Sequence, residues 1–409
     1  MALAPGVLAA KAAASLARAA RRGGGTSLPG KLLLRAEPQA IRRLSARLAR
    51  GSVAISATNG KTTTAAMVAT ILERTGARLV SNRAGANMAG GVASALALAS
   101  RRGGRALDGD LGLFEVDEFW LGQVVDQLRP RAILLGNLFR DQLDRYGELD
   151  TIADRWAAVA QGRAGLVLNA DDPLVADLGR AAPAPAYFGV EDHSLAFAEL
   201  QHASDSKHCR RCGHAYVYDA AYLAHLGHYH CPSCGNRRPV PAVVAREVEL
   251  RGIRAAAFTL HAPAGTARVE LPLPGLYNVY NAVGAAALCL ELGVRLDDVV
   301  AGLQAVAPAF GRAETVRVGD RDASLLLVKN PAGANEVLRT LSLEGGELEL
   351  LGILNDGVAD GRDVSWVWDA DWELIAPHVR RMTCSGTRAA ELALRELLAR
   401  RGEAEDYWR

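Results

Sequence analysis

Short apolar runs recur along the chain, each closed by a turn and followed by a stretch with helical spacing. Val53-Ala54-Ile55-Ser56 leads through a tight turn into a helix starting near Lys61. The pattern repeats at Leu111-Gly112-Leu113-Phe114-Glu115-Val116, at Arg131-Ala132-Ile133-Leu134-Leu135-Gly136 and at Gly165-Leu166-Val167-Leu168-Asn169. Short strands alternating with helices predict an α/β fold, a parallel sheet with crossover helices. Residues 203–240 break the rhythm; they are polar and hold most of the histidines, and they read as an insertion. A strand-rich stretch from Val243 to Leu273 then runs into an alanine-rich helix from Asn278 to Leu292. The alternation restarts after Phe310-Gly311-Arg312. The expected organisation is a helical segment over 1–45, a central domain over 46–311 that carries the insertion, and a smaller α/β domain over 312–409.

Composition narrows the function. A chain of 409 residues is too long for one simple core. A formal net charge of +2 calls for no nucleic-acid partner. No run approaches the roughly 18 apolar residues that span a bilayer, so no transmembrane segment is expected. The first acidic residue is Glu37, and the arginines and alanines before it superficially suggest a transit peptide; a basic helix ending at Gly23-Gly24-Gly25 is the preferred reading. The expected location is the cytoplasm. Lysine occurs only at positions 11, 31, 61, 207 and 329, which draws attention to Lys61 and Lys329 because both lie in motifs.

The sharpest motif is Ala57-Thr58-Asn59-Gly60-Lys61-Thr62-Thr63-Thr64, placed between a strand and a helix. Successive backbone N–H groups of such a loop cradle phosphates at the positive end of the helix dipole. Lys61 is placed to reach the β- and γ-phosphates, and the Thr62 hydroxyl to sit on Mg²⁺. The long form of the phosphate-loop pattern has a glycine where this chain has Ile55.

A second constellation is Cys209-Arg210-Arg211-Cys212, eighteen residues, then Cys231-Pro232-Ser233-Cys234. Paired CxxC units at this spacing suit a closed, structural Zn²⁺ site of four thiolates, and Gly213 and Gly235 suit the turns after each pair. His208, His214, His225, His228 and His230 are nearby competitors as ligands. A ribbon alone also suits nucleic-acid binding, but no wider basic stripe accompanies it.

The short loop form resembles that of the Mur ligase family and of folylpolyglutamate synthetases, which usually have glycine where this chain has Ala57. Further residues match in the same order: Glu115; Asn137 to Asp144, with Gln142 where many members have a metal-binding histidine; Asn169-Ala170-Asp171-Asp172-Pro173; Asn278 and Asn281; and Arg312. The resemblance implies a central ATP-binding domain with Thr58, Asn59, Gly60, Lys61, Thr62, Thr63, Asn169, Asp171, Asn278, Asn281 and Arg312 around the nucleotide. It also implies Mg²⁺ on Thr62 and Glu115, with Lys61 and Glu115 catalytic. Where Mur ligases usually have a ribose-contacting aspartate this chain has Leu326, and too few residues precede the loop for a UDP-sugar domain.

Four features are similar to one branch of that family, the synthetase subunits of lipid II isoglutaminyl synthase: Asn82 to Met88, Glu115-Val116-Asp117-Glu118, the cysteine ribbon, and Lys329 to Glu336. That branch implies ATP-dependent conversion of D-glutamate in the lipid II stem peptide to D-isoglutamine, at the inner membrane face. Ammonia would come from a separate GatD-type glutamine amidotransferase in a heterodimer, because neither Cys289 nor Cys384 lies in a nucleophile-like context. Asp360 or Asp363, with Asp356 the weaker choice, would orient the partner's catalytic histidine. The rival readings are a free-standing amino-acid ligase on a soluble substrate and a nucleotide-binding scaffold without activity.

Overall fold

A computed structural model of the chain describes residues 3–19, 27–82, 86–140, 149–201, 204–307, 314–357 and 361–402. Its centre is a nine-stranded sheet. In chain order the strands are β1 (Ser52–Ser56), β2 (Leu79–Ser81), β3 (Leu111–Glu115), β4 (Ala132–Leu135), β5 (Leu166–Asn169) and β6 (Ala186–Val190). A separate hairpin follows, β7 (Val217–Leu223) and β8 (Leu226–His230), and then β9 (Val243–Arg251), β10 (Ala255–Ala262) and β11 (Gly265–Leu271) complete the sheet. Their spatial order is β11-β10-β9-β6-β5-β4-β1-β3-β2.

The parallel sheet expected from the sequence runs from β2 to β9. The stretch after the insertion adds an antiparallel edge, β9 to β10 to β11. Short connections there leave no room for crossover helices, so the chain must turn back on itself.

Every residue of β1 is buried, and its side chains alternate between two layers. Val53 and Ile55 join a core with Met67, Ile71, Phe258 and Leu288, roofed by helices Lys61–Arg74 and Leu276–Glu291. Ala54 faces the opposite core with Phe114, Leu96 and Trp156. The N-terminal helix Leu3–Ala19 belongs to this second layer through Leu3, Val7, Ala10 and Ala14, all buried. The next helix, Leu28–Ala36, meets Ala89–Ala99 at a glycine crossing. A Cβ on Gly30 would lie 1.8 Å from the Gly90 carbonyl oxygen, and the Gly30 N–H donates to Ser94 Oγ at 2.7 Å.

Two small β ladders and two helices form the C-terminal unit. β12 (Glu314–Val318) and β13 (Arg321–Leu325) are antiparallel, while β14 (Leu348–Ile353) and β15 (Val379–Ser385) are parallel. Helix Pro331–Ser342 ties this unit to the rest. Arg339 donates to the carbonyls of Tyr222 and Leu195 at 2.8 and 2.9 Å, and Glu344 accepts the Ile253 N–H at 2.7 Å.

The order of the sheet places the site. The chain leaves β1 for β2 and β3 on one side and returns to β4 on the other, so connections diverge at the C-terminal end of β1. In open α/β sheets that divergence forms the binding crevice, and residues 57–60 lie there.

Candidate nucleotide site and four-cysteine ribbon

The loop after β1 is fixed by steric constraint. Gly60 precedes helix Lys61–Arg74 at φ +84°, a left-handed conformation that strains any residue with a Cβ. A Cβ there would also lie 2.1 Å from Asn281 Oδ1, so glycine is demanded twice. Asn137 grips the loop from β4's end, its side chain accepting the Asn59 N–H at 2.8 Å and donating to the Asn59 carbonyl at 3.0 Å. The departure at Ala57 is matched across the sheet by Gly136, whose added Cβ would come 3.0 Å from the Ala57 methyl.

Lys61 is 8% exposed. Its Nζ donates to the carbonyls of Ala57 and Thr58 at 3.0 and 3.3 Å and to Glu118 Oε2 at 3.2 Å. Burial works against its charge, yet Glu118, Glu115 and Asp117 outweigh burial and hold its pKa above the ordinary value. Glu118 shows the mirror effect: burial opposes its ionisation, while Lys61 and Lys329 hold its carboxyl below the usual range.

Thr62 Oγ1 donates to Glu115 Oε1 at 3.0 Å. Adjacent ligands of an octahedral Mg²⁺ with bonds of about 2.1 Å lie about 3.0 Å apart, so this oxygen pair fits two neighbouring coordination positions. Glu115 is held from behind by Asn82, whose amide bonds both the Glu115 N–H (3.0 Å) and its carbonyl (2.8 Å).

Opposite the loop, helix Leu276–Glu291 presents Asn278 and Asn281, linked to each other at 3.1 Å; Asn281 accepts from Thr64 at 3.2 Å. Helix Pro331–Ser342 of the C-terminal unit approaches from the third side. Its cap residue Asn330 exchanges two amide hydrogen bonds with Asn59, at 3.1 and 3.0 Å. These elements enclose a cavity of about 630 Å³ lined by Thr58 to Thr63, Glu115, Asn278 and Asn281, and on the C-terminal side by Leu326 to Lys329 and Glu336. A polyanion can lie along the loop, and the same cavity offers an apolar ring the side chains of Leu273 and Tyr277.

The second constellation converges as well. The Sγ atoms of Cys209, Cys212, Cys231 and Cys234 all lie within 4.8 Å of one another. The pairs Cys209–Cys234 and Cys212–Cys231 are 3.6 and 3.5 Å apart. Tetrahedral Zn²⁺ with bonds of about 2.3 Å sets its sulfurs about 3.8 Å apart, so the four thiols fit that ion. Each CxxC closes a matching turn: Gly213 N–H to the Cys209 carbonyl at 2.8 Å and Gly235 N–H to the Cys231 carbonyl at 3.0 Å, both glycines at positive φ. Three neighbouring histidines are engaged elsewhere: His225 faces Asp172, His228 the Val190 carbonyl, and His230 Asp219.

Residues 327–405 match the family described as MurT ligase C-terminal, and residues 55–229 match the Mur ligase middle domain. Over 391 residues the chain is 33% identical to "Lipid II isoglutaminyl synthase (glutamine-hydrolyzing) subunit MurT" of Staphylococcus aureus (strain N315), covering 94% of this chain and 86% of that protein. The subunit of the same name from Streptococcus pneumoniae (strain ATCC BAA-255 / R6) is 33% identical over 92% of this chain and 82% of its own length. The chain belongs to the MurT family. Solved structures show the Mur ligase fold. A pseudomurein peptide ligase type C from Methanothermus fervidus superposes with a TM-score of 0.68 at 24% identity, covering 86% of this chain and 67% of that one. MurF from Acinetobacter baumannii gives 0.64 at 22%, covering 92% and 70%.

Within this MurT-family chain, most of the residues singled out from the sequence meet at the cavity: Thr58 to Thr63, Glu115, Asn278 and Asn281. Asn169 and Asp171 do not. Both are buried, at 1% and 0% exposure, and their side chains serve the fold. Asn169 Oδ1 accepts the Asp171 N–H. Asp171 accepts from Arg238 Nε (2.6 Å), Tyr280 OH (2.7 Å) and the Val190 N–H (2.9 Å). Neither residue lines the cavity, though Tyr280, which does, donates to Asp171.

Arg312 and Asp360 lie outside the described residues, as do Asp141, Gln142 and Asp144. Asp363 is partly exposed and accepts the Ser365 N–H at 2.9 Å; Asp356 accepts from Thr387 Oγ1 at 2.7 Å. Four residues that sequence reasoning left without a role, Asn137, Glu118, Asn330 and Glu336, stand at or beside the cavity. Each lies inside a motif already singled out, but only the fold brings those motifs together.

The Asp171 network generates a stability prediction. Replacing Arg238 by methionine removes the cation and leaves a buried carboxylate with only two neutral donors. Loss of one partner of such a pair costs about 3–5 kcal/mol. Urea unfolding of Arg238→Met should show a loss of that size, and Arg238→Met combined with Asp171→Leu should recover part of it.

Proposed function

We propose that this chain is the ATP-dependent synthetase subunit that amidates the D-glutamate α-carboxylate of lipid II, drawing ammonia from a glutaminase subunit. The observation that carries the reading is the intact loop–lysine–carboxylate constellation in a chain that aligns along most of its length with the MurT subunits. The substrate carboxylate attacks the γ-phosphorus of ATP, giving an acyl phosphate and ADP. Ammonia then attacks the acyl carbon, phosphate leaves with the C–O bond electrons, and the nitrogen loses a proton to give the amide.

Each residue has a definable part. The loop backbone and Lys61 cradle and neutralise the phosphates as charge shifts toward the leaving ADP. Thr62 and Glu115 would hold Mg²⁺, which supplies further charge neutralisation between the phosphates. Lys61 already sits among carboxylates, so the triphosphate exchanges with Glu118 and the backbone carbonyls for a preformed ammonium. Asn278 and Asn281 line the cavity beside the phosphate loop.

The ribbon sulfurs are assigned to one structural Zn²⁺. They form a closed donor set of four, with no open position for substrate chemistry.

Two physical facts favour a separate glutaminase. Cys289 is wholly buried in helix Leu276–Glu291, where burial pushes its thiol far above the ordinary value. Cys384 is also pushed up, by burial and then by Glu396. A glutaminase nucleophile needs a thiol that ionises readily. Among the described residues no helix is long and apolar enough to cross a membrane, so a lipid-linked substrate would be met from the membrane face.

Three outcomes test these assignments. Lys61→Ala and Glu115→Ala should each lower ATP-dependent amidation by more than about tenfold with the circular dichroism spectrum unchanged; near-normal turnover would place the nucleotide elsewhere. Metal analysis should give one zinc per chain, and Cys231→Ser or chelation should lower the melting temperature through the ribbon; a zinc-free protein of full stability would contradict the assignment. Asp360→Asn or Asp363→Asn should cripple glutamine-driven amidation and spare amidation driven by added ammonium. Equal loss of both activities would assign that loop to the synthetase site, and no loss would remove it from the partner's triad.

A further inference from the structure

Glu336 is a carboxylate that the fold buries with no hydrogen bond to either oxygen and one cation, Arg339, at longer range. It is 1% exposed, yet it lines the cavity. Neither Oε1 nor Oε2 has a hydrogen-bond partner among the described residues. The nearest cation, Arg339, stands 3.8 Å from Oε1, and both of its terminal nitrogens donate to the carbonyls of Tyr222 and Leu195. A buried polar group without partners is costly, and a buried charge more so. Burial pushes the Glu336 carboxyl up to about 7 against the opposing pull of Arg339. A ligand in the cavity that supplies the missing donors would offset that cost.

Position identifies those donors. Ala332, Gly333, Glu336 and Val337 share the face of helix Pro331–Ser342 that borders the cavity. The helix is capped by Asn330, which is bonded to the loop residue Asn59, so its first turn stands beside the phosphate end. Glu336 lies six residues further, about 9 Å along the axis. Further along the same helix Arg339 reaches the Tyr222 carbonyl and Thr340 stands beside Gly275, so the apolar lining residues Leu223, Leu226, Leu273 and Tyr277 border that end, which suits a purine. A carboxylate repels phosphates. Between phosphates and base, a nucleotide offers one pair of neutral adjacent donors, the ribose hydroxyls, and carboxylates bind them in other nucleotide folds. Leu326, also in the lining, offers no polar side-chain atom.

We infer that Glu336 is the ribose-binding residue of this site, its carboxylate oxygens accepting from the 2′- and 3′-hydroxyls of ATP. The inference rests on the reading of the cavity as an ATP site.

Calorimetric titration of the full-length chain with the Mg²⁺ complexes of ATP, 2′-deoxy-ATP, 3′-deoxy-ATP and purine riboside triphosphate, which lacks the 6-amino group, separates the two. The unsubstituted protein should bind ATP about tenfold more tightly than either deoxy form, as expected for hydrogen bonds to a charged acceptor. Glu336→Leu should weaken ATP and purine riboside triphosphate alike and the deoxy forms, which keep one hydroxyl each, by less, removing the discrimination; Glu336→Gln, which keeps one neutral acceptor, should fall between. Thermal melting of the nucleotide-free variants should be no lower than that of the parent, because relief of the buried carboxyl offsets loss of the 3.8 Å contact with Arg339. Undiminished preference for ATP over the deoxy forms in both variants overturns the inference. So does a penalty that vanishes only when the 6-amino group is absent, which would assign Glu336 to the base. If the unsubstituted protein binds ATP and the deoxy forms equally, the inference fails and the ATP site stands. If it binds none of the four, the ATP reading falls and takes the inference with it.

Discussion

A buried ammonium governs the architecture of the site. Lys61 sits at the start of a helix whose own field repels positive charge, and it is almost removed from water. Stripping an ion of water costs several kcal/mol even after relaxation, so its neighbours must be anionic and fixed. Glu118, Glu115 and Asp117 supply the charge, and the carbonyls of Ala57 and Thr58 complete the shell. The strand order follows from the same need: the carboxylates come from β3 and the segment after it, and β3 must lie directly beside β1 for them to reach Lys61. The charge is thus prepared before any phosphate arrives, which is what preorganised electrostatic stabilisation requires.

Neutral amides hold this charged centre in place. Asn137 grips Asn59, Asn82 brackets Glu115, Asn281 presses on Gly60, and Asn330 exchanges two bonds with Asn59. An asparagine both donates and accepts and adds no net charge, so the frame keeps its geometry without disturbing the balance at Lys61. The Asn59–Asn330 pair also sets the separation between the two units that enclose the cavity. The position of Glu336 is a consequence, because it rides on the helix that Asn330 caps.

The sequence revealed what depends on local chemistry. A strand, a Gly-Lys-Thr turn and a helix must be contiguous to bind phosphates, and CxxC pairs must be close in sequence to form knuckles, so both were readable. Roles decided by distant contacts were not. Asn169 and Asp171 occupy a recognisable motif, but only the fold reveals Arg238 and Tyr280 converging on Asp171 and turning it inward. Glu336 was visible as part of Lys329 to Glu336, while its lack of a close hydrogen bond depends on Arg339 being held at 3.8 Å by its bonds to Tyr222 and Leu195. The antiparallel edge of the sheet was visible as strands and hidden as topology, since alternation along a strand does not record the direction of its neighbour.

These contacts change the meaning of the cysteine ribbon. It reads in the sequence as an insertion, yet its hairpin supplies Leu223 and Leu226 to the cavity wall. The Tyr222 carbonyl on the same strand receives Arg339, fixing the C-terminal helix that bears Glu336. Just after Cys234 the chain delivers Arg238 to Asp171, and Asp171 receives the hydroxyl of Tyr280, between Asn278 and Asn281 on the helix beside the phosphate loop. A hairpin of only two strands is marginal by itself, and the proposed Zn²⁺ on the four sulfurs at its base would supply rigidity that two strands lack. The ribbon is therefore a structural wall of the nucleotide cavity, and it joins the helix of Asn278 to the helix of Glu336 from the side opposite the loop.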